Sequence, residues 1–288
     1  MNPNPVFRAI EAALCGYLAR SVVIQSHLPV GGGCINNAFC IDTGAGKFFC
    51  KVNDVKKYPG MFEAEAKGLQ VLKEANEIFV PSFIASGEDK GSAFLILEFI
   101  EPGKRVPDFS PLFGQALARM HRRTEKYFGL DHDNYIGSLR QSNKKHDRWV
   151  DFFIEERLLP QIQLAGFSGL RAKRFENLFK KLDDIFPAEK PSLLHGDLWS
   201  GNYMVSPQGA ACLIDPSVYY GCREMDIAMT KLFGGFDIEF YDAYNREFPL
   251  EPGWQKRTDL CNLYPLLVHV NLFGGSYLYQ MDSIINRF

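Results

Sequence analysis

The stretch that decides the fold is Leu193–Asp215, which reads LLHGDLWSGNYMVSPQGAACLID. Two β-prone runs, Tyr203–Val205 and Ala211–Ile214, flank a Pro-Gln-Gly turn, and this arrangement predicts a hairpin. Because a hairpin brings its two ends together, the polar residues before its first strand and after its second are expected to lie close to each other.

The polar residues around this hairpin have the spacing of a kinase catalytic loop. His195, Asp197 and Asn202 fit the pattern H-x-D-x-x-x-x-N, and Asp215 follows the second strand, where a kinase has its metal-binding aspartate. Phosphoryl transfer from ATP needs a proton acceptor for the attacking hydroxyl group and hard oxygen ligands for Mg²⁺. Asp197 suits the first role, and Asn202 and Asp215 suit the second. The alternative is that His195 and Asp197 only cap a turn.

Two charged residues in the first hundred agree with nucleotide binding. Lys51 lies inside the β-prone run FFCKVN, where a lysine is costly to bury without a partner. Glu65 lies on the apolar stripe of a helix predicted over residues 60–75, and an inward-facing acid is the natural partner of Lys51. The alternatives are an exposed strand lysine and a surface carboxylate.

A glycine run precedes the strand of Lys51. Gly31, Gly32 and Gly33 would let backbone N–H groups approach a phosphate closely, although the run is neither a G-x-G-x-x-G nor a Walker A pattern. An ordinary hairpin turn is the alternative. Cys34 follows the glycines, where oriented N–H groups would favour a thiolate. The alternative for Cys34 is a small residue tolerated in a turn.

The composition bounds the fold and the partners. The chain has 288 residues, which favours two domains, and its net charge of -2 argues against nucleic-acid binding. The amino terminus reads as an amphipathic helix and no stretch is apolar enough to span a membrane, so a cytoplasmic protein without a membrane partner is expected. The seven cysteines are irregularly spaced, which argues against a zinc site.

The distribution of strands and helices predicts an α+β fold. The first hundred residues are strand-rich, with β-prone runs over residues 38–42, 48–53 and 93–100. Helical signals dominate after Glu101-Pro102-Gly103. They predict one helix from Ser110 to about Tyr127 and two more over residues 147–165 and 169–185. We therefore predict a nucleotide-binding lobe over residues 1–100 and a helical lobe with the catalytic loop and substrate site over residues 101–288.

Eight stretches, in order along the chain, resemble the fructosamine kinase (ketosamine-3-kinase) family, which is related to the aminoglycoside phosphotransferases and choline kinases. The most specific are GGGCINNAF, HGDLWSGNYMV and IDPSVYYGCREMDIAMTKLFGGF. The others are FFCKVN, MFEAEAKGLQVL, FLILEFI, FGLDHDNYIGSLRQSN and WVDFFIEERLLPQ. Residues after about 250 match only loosely.

The resemblance implies a protein-kinase-like two-lobed fold and ATP-dependent phosphorylation of the third-carbon hydroxyl group of a ketosamine. Such phosphorylated adducts break down and release the amine, so the implied role is deglycation. By the same resemblance Asp197 is the proton acceptor, Asn202 and Asp215 hold Mg²⁺, and Lys51 and Glu65 position the phosphates of ATP.

The resemblance also suggests residues for the adenine-binding site and for the substrate-binding site. Glu98, Phe99 and Ile100 are the hinge whose backbone meets adenine. Trp199, two residues after Asp197, is a candidate substrate contact, since an aromatic face can stack on a sugar; the alternative is that it packs under the loop. His195 is a second candidate for contact with the substrate. The favoured alternative for His195 is that it braces the backbone of the loop.

Other features are assigned by the resemblance only in part. Asp226 is expected to anchor the catalytic loop rather than to touch substrate. Gln141 and Asn143 match the family, but no role follows for them. The resemblance includes a cysteine at Cys34 in many members, and this suggests redox control through a disulfide between two chains. The expected state is therefore a monomer or a redox-dependent homodimer.

The sequence motifs also permit two other functions. A kinase of another small hydroxyl compound, such as an aminoglycoside or a choline-like amino alcohol, would share the H-x-D-x-x-x-x-N loop. A non-catalytic nucleotide-binding module would lack one of the essential Asp, Asn or Lys residues, and none is missing. The sequence does not specify which sugar the ketosamine carries, nor whether its amine belongs to a free amino acid or a protein.

Overall fold

A computed structural model of the protein describes residues 5–31 and 35–288. In chain order the strands are β1 (Ile24–Val30), β2 (Asn37–Thr43), β3 (Gly46–Asp54), β4 (Phe83–Asp89), β5 (Ser92–Glu98), β6 (Asn134–Ile136), β7 (Leu139–Gln141), β8 (Ser192–Leu194), β9 (Tyr203–Val205), β10 (Ala211–Leu213) and β11 (Tyr219–Gly221). The helices are α1 (Pro5–Leu18), α2 (Met61–Ala75), α3 (Phe109–His121), α4 (Trp149–Phe152), α5 (Leu159–Leu164), α6 (Gly169–Phe179), α7 (Leu182–Ile185), α8 (Glu224–Leu232), α9 (Ile238–Glu247), α10 (Trp254–Cys261), α11 (Leu263–Phe273) and α12 (Ser276–Ile285). A π-helical turn, Phe153–Leu158, lies between α4 and α5.

The chain forms two compact units. The N-terminal unit contains the described residues up to Pro107 together with Tyr203–Asp215, and the C-terminal unit contains Asp108–Asn202 and Pro216–Phe288. The sequence predicts a single boundary after residue 100, whereas the structure assigns the β9–β10 hairpin to the N-terminal unit.

Backbone hydrogen bonds explain why the hairpin belongs to the N-terminal unit. The N–H group of Leu213 donates to the carbonyl of Phe79 over 2.9 Å, and the N–H group of Gly103 donates to the carbonyl of Val205 over 2.9 Å. A side chain at Gly103 would collide with the backbone of Ser206. The hairpin thus carries its last residues, including Asp215, into the N-terminal unit.

The N-terminal unit is built on a five-stranded antiparallel sheet in the order β1-β2-β3-β5-β4. The predicted strands around residues 38–42, 48–53 and 93–100 correspond to β2, β3 and β5. Helix α1 buries Val6, Ile10 and Leu14 against the sheet, in a core that also contains Ile41 and Ile96. This core holds β3 rigidly at the centre of the sheet.

The C-terminal unit is mostly helical around an apolar core drawn from α4 to α8 and α10 to α12. Short strand pairs, β6–β7 and β8–β11, lie beside these helices. Within residues 5–31 and 35–288, no helix combines the length and the apolar character needed to cross a lipid bilayer.

The predicted helices differ from the observed ones mainly at their ends. The helix predicted from Ser110 to about Tyr127 ends at His121, because the chain then runs beside β8 and the carbonyl of Arg123 accepts from the N–H group of Leu193. The helix predicted over 147–165 contains the π-helical turn, and the one predicted over 169–185 is divided into α6 and α7.

Candidate active site

Lys51 forms two ion pairs within the N-terminal unit. It lies in the middle of β3, opposite Ala38 of β2 and Leu95 of β5, and its side chain is only 6% exposed. Its Nζ donates to Glu65 Oε1 over 2.7 Å and to Asp215 Oδ1 over 2.6 Å. The predicted contact of Lys51 with Glu65 is confirmed, and the alternative of an exposed strand lysine is wrong.

Lys51, Glu65 and Asp215, here called the lysine triad, bring one positive and two negative groups into direct contact. Burial alone would lower the pKa of Lys51, but the carboxylates of Asp215 and Glu65 outweigh burial and raise that pKa above its ordinary value. Burial raises the pKa of Glu65, and the ammonium group of Lys51 opposes this effect. The triad therefore presents a fixed cation through neutral pH, beside a carboxylate at Asp215 that is 46% exposed.

The backbone at Asp215 leaves the direction of its strand abruptly. Asp215 has a φ of 54°, in the left-handed region that non-glycine residues rarely adopt and that aspartate tolerates better than most. It comes two residues after the end of β10. Because of this turn, the Asp215 carboxylate points to Lys51 and does not continue in the direction of the strand. Backbone conformations of this kind cluster at functional sites.

Within the C-terminal unit, Asp197 and Asn202 are joined by side-chain hydrogen bonds. Asn202 Nδ2 donates to the backbone carbonyl of Asp197 and to its Oδ2, each over 2.9 Å. The N–H group of Asn202 donates to the carbonyl of Trp199 over 2.9 Å, which closes the loop into a turn. Because both bonds to Asp197 use the amide nitrogen, the oxygen of Asn202 points to the opposite side of the amide group.

Asp226 of α8 anchors the start of this loop. It is 1% exposed, and its carboxylate accepts from the N–H groups of His195 over 2.7 Å and Gly196 over 2.9 Å. His121 Nε2 contacts the same carboxylate over 3.2 Å, and His121 Nδ1 lies 2.8 Å from the hydroxyl of Tyr244. The expected anchoring role of Asp226 is confirmed, and the histidine behind it holds the carboxylate in place.

Replacing Asp226 with alanine should destabilise the protein by about 3 kcal/mol, because two buried N–H groups lose their acceptor at roughly 1–3 kcal/mol each. Urea unfolding followed by circular dichroism measures this. The control is Asp259→Ala, which removes an exposed ion pair with Arg287 and should cost at most about 1 kcal/mol. Equal destabilisation by the two substitutions would show that Asp226 is not an anchor.

His195 braces the loop instead of facing a substrate. The imidazole is completely buried, and its Nδ1 accepts from the N–H group of Asp197 over 3.3 Å. A wholly enclosed ring offers no face to a ligand. The assignment of His195 as a substrate contact is therefore corrected in favour of the bracing alternative.

Trp199 is half-buried and begins a row of aromatic rings in the C-terminal unit. Its ring lies over Gly201, where an added Cβ atom would come within 2.3 Å of the indole. The ring meets Phe233 edge-on at a centroid distance of 5.9 Å, and Phe233 in turn meets His269 at 5.0 Å. Trp199 thus packs against its own loop on one side and continues into an exposed aromatic surface through Phe233, which is 39% exposed.

His269 contributes a neutral ring to this row. Burial lowers its pKa, against the opposing hydrogen bond to the carbonyl of Pro265 at 2.7 Å. The aromatic row therefore carries no positive charge at neutral pH.

The glycine run falls mostly outside the described residues. Gly32, Gly33 and Cys34 are not among them, so their predicted roles stay predictions. Gly31 is exposed and directly follows the end of β1. The six cysteines in the described ranges are free thiols, and burial raises the pKa of Cys212 to about 12.

The predicted hinge lies at the end of β5. Glu98 is the last residue of that strand, and its backbone N–H group and side chain are bonded to the backbone of Ser82. Phe99 and Ile100 continue without strand pairing, and Ile100 is buried. Contact of this backbone with adenine stays a prediction.

Sequence reasoning missed several residues of the site. His121 and Tyr244, which support Asp226, carry no recognisable spacing, because they come from helices far apart along the chain. Phe233 lies in the quoted stretch TKLFGG, so it could have been singled out as an aromatic near the loop. His269 lies in the apolar helix α11, where its only signal is a polar residue at the end of an apolar run.

Comparison with solved structures defines the class of fold. The ternary complex of the aminoglycoside phosphotransferase APH(4)-Ia superposes with a TM-score of 0.63 over 96% of this chain and 98% of that one, at 15% identity. This likeness establishes the protein-kinase-like, two-lobed α+β fold. A crystal structure provisionally assigned as a fructosamine-3-kinase from Haemophilus somnus is closer, with a TM-score of 0.88, 30% identity and 96% of both chains covered.

The sequence comparisons identify the family. The sequence model of the fructosamine kinase family matches residues 6–288, and the chain belongs to that family. It is 41% identical to a protein described as a probable ketoamine kinase of Vibrio parahaemolyticus, over 98% of this chain and 99% of the other. It is 40% identical to the chloroplastic protein-ribulosamine 3-kinase of Oryza sativa subsp. indica, over 90% of this chain and 77% of the other. The protein is thus a nucleotide-dependent kinase, and the segment after residue 250 belongs to the family as well.

Proposed function

We propose that this protein transfers the γ-phosphoryl group of ATP to the third-carbon hydroxyl group of a ketosamine. The observation that carries the proposal is that Asp197 contacts Asn202, and Lys51 contacts both Glu65 and Asp215, in a chain of the fructosamine kinase family. The name protein-ribulosamine 3-kinase, carried by a relative, supports the position of the hydroxyl group.

The lysine triad would position the phosphates of ATP. The ammonium group of Lys51 is buried, remains charged, and is held by Glu65, so it is preorganised for a phosphate oxygen. Gly31, Gly32 and Gly33 would supply backbone N–H groups to the phosphates. The backbone of Glu98, Phe99 and Ile100 would bind adenine.

Mg²⁺ would be held by Asn202 and Asp215. The residues fit this ion, because a carboxylate and an amide oxygen are hard ligands and Mg²⁺ commonly takes only one or two protein ligands beside phosphates and water. The orientation of the Asn202 amide keeps its oxygen free of Asp197, and the Asp215 carboxylate is accessible. When bound, the ion neutralises negative charge on the phosphates.

Asp197 would accept the proton of the attacking hydroxyl group. The hydroxyl oxygen forms a bond to the γ-phosphorus, the bond from that phosphorus to ADP breaks, and the proton passes to the Asp197 carboxylate. The amide of Asn202 donates to Oδ2 of that carboxylate and so fixes its direction. Asp226 keeps the loop backbone at the required place.

Trp199 would contact the sugar of the substrate. Its half-buried ring lies two residues from Asp197 and continues into Phe233 and His269, an uncharged aromatic surface suited to the apolar face of a sugar. Cys34 and a disulfide-linked dimer remain predictions from the family resemblance.

A substrate panel tests the proposal. The protein with Mg²⁺ and ATP should phosphorylate fructosyl- and ribulosyl-lysine derivatives, with ¹³C-³¹P coupling placing the phosphate on the third carbon. A ketosamine lacking that hydroxyl group should not react. Preferred phosphorylation of an aminoglycoside or choline in the same assay would overturn the proposal.

The same panel tests Trp199. Trp199→Leu should raise the KM for the ketosamine about tenfold, the upper range for one aromatic contact, and leave the KM for ATP unchanged. The matched control is Trp254→Leu on α10, which removes an indole outside the aromatic row. An unchanged ketosamine KM in Trp199→Leu would remove Trp199 from the substrate site.

A further inference from the structure

Arg157 is a completely buried cation in the C-terminal unit. It lies in the π-helical turn between α4 and α5, and its guanidinium group packs over the rings of Phe152 at 4.4 Å, Tyr219 at 4.0 Å and Tyr264 at 5.5 Å. Among the described residues, no carboxylate forms an ion pair with it. Burying a charge without a counter-charge is costly, and here the cost is offset by the three rings and by hydrogen bonds to the carbonyls of Ser142 and Glu156.

The guanidinium group is bound to one end of a cluster of buried amides. It donates to Asn143 Oδ1 over 2.7 Å, and Asn143 Nδ2 donates to Asn134 Oδ1 over 3.1 Å. Gln141 Nε2 donates to the same oxygen of Asn134 over 2.8 Å, and Gln141 Oε1 accepts from the hydroxyl of Tyr264 over 2.6 Å. Asn134, Gln141 and Asn143, here called the amide cluster, are 5%, 2% and 1% exposed, so water does not compete for these bonds.

The amide cluster holds the segment that supports the catalytic loop. Asn134 Nδ2 donates to the carbonyl of Val218 over 2.8 Å, and Gln141 Nε2 donates to the carbonyl of Ser217 over 3.2 Å. The N–H group of Ser217 in turn donates to the carbonyl of His195 over 2.9 Å. An added Cβ atom at Gly196 would lie 2.0 Å from the Ser217 carbonyl oxygen, so the loop backbone rests directly on this segment.

We propose that Gln141 is a positioning residue for phosphoryl transfer, which sets the backbone of the catalytic loop through Ser217 while Arg157 orients the amide cluster behind it. The proposal rests on the proposed role of Asp197. A proton acceptor must lie within hydrogen-bond reach of the hydroxyl group it serves, and a misplacement of about 1 Å can cost about 100-fold in rate. Two residues hold the loop backbone. Asp226 accepts from the N–H groups of His195 and Gly196, and the N–H group of Ser217 donates to the carbonyl of His195.

Gln141→Leu tests this role, since leucine fills the space without making hydrogen bonds. We expect kcat to fall by about 100-fold, with the KM for ATP and for the ketosamine within threefold of the original values. The matched control is Gln161→Leu. Gln161 is also a buried amide of the C-terminal unit, 3% exposed, but it is bonded to Asn271 and not to the loop segment. The control should lose thermal stability while keeping kcat.

A second pair of variants tests the same role by removing only one hydroxyl group each. Tyr264→Phe removes only the hydroxyl that orients Gln141, and it should lower kcat about fivefold, equivalent to one hydrogen bond. Tyr241→Phe removes a hydroxyl that contacts Thr230, and it should leave kcat unchanged. If Gln141→Leu does not fold, this pair decides the question.

The outcomes separate this proposal from the proposed function. Turnover of a ketosamine by the unaltered protein reports the substrate class, and if no ketosamine reacts, the same variants are compared by hydrolysis of ATP with Mg²⁺. A kcat of Gln141→Leu within threefold of that of Gln161→Leu, together with an unchanged kcat in Tyr264→Phe, would overturn the positioning role. A parallel rise of both KM values with constant kcat would do the same.

Discussion

Asp197→Asn should lower kcat by about 100- to 10,000-fold, the range that a positioned general base contributes. The asparagine keeps the size of the side chain and still offers an oxygen to Asn202, but it cannot accept the proton of the hydroxyl group. Affinity for ATP should stay within about threefold, since the nucleotide would be held by the lysine triad. Steady-state kinetics with a ketosamine and calorimetric titration with ATP measure the two quantities.

The control for Asp197→Asn is the same exchange at Asp131. Its side chain is 78% exposed and pairs with His132, so Asp131→Asn should leave kcat unchanged. Turnover by Asp197→Asn at the rate of the unaltered protein would remove Asp197 from the proposed mechanism. Loss of ATP affinity together with kcat would instead assign Asp197 to nucleotide binding.

Lys51→Met should reduce both activity and stability. Removing one preorganised donor to a reacting oxygen typically costs about 100- to 1,000-fold in kcat. The substitution also removes the cation that pairs with Glu65, whose side chain is only 11% exposed. Breaking such a buried ion pair costs about 3–5 kcal/mol of stability. Kinetics and urea unfolding, followed on the same preparation, measure the two effects.

A double variant separates the two effects of Lys51. Lys51→Met with Glu65→Leu removes the uncompensated charge, so stability should recover in part while activity stays low. The control is Lys47→Met on the same strand. Its exposed ion pair with Glu101 should matter little to either measurement. Recovery of activity in the double variant would contradict a direct role of Lys51 at the phosphates.

Pattern reasoning succeeded where local rules apply. Glu65 shares the helical stripe of Phe62, Leu69 and Leu72, which are all buried, so its inward direction followed from the period of an α-helix. A lysine in the middle of an apolar strand needs a carboxylate, and Glu65 is that carboxylate. The β9–β10 hairpin likewise followed from two short β-prone runs around a turn.

Pattern reasoning was weaker where a role depends on burial. His195 fits the loop motif as well as Asp197 does, and spacing alone cannot tell a brace from a substrate contact. The complete enclosure of its ring decides the question. The same holds for Gln141 and Asn143, which match the family without a role until their partners in the amide cluster are known.

The amino-acid sequence by itself determined the family, the strand that carries Lys51, the helix that carries Glu65 and the loop that carries Asp197 and Asn202. Only the tertiary structure decided that the hairpin ending near Asp215 belongs to the N-terminal unit, that His121 supports Asp226, and that Arg157 is buried behind the loop. The physical reason is that these contacts join residues far apart along the chain, such as Lys51 and Asp215, whose numbers differ by 164. No periodicity or local propensity records such a contact, because packing and hydrogen bonding select it only when the whole chain is folded.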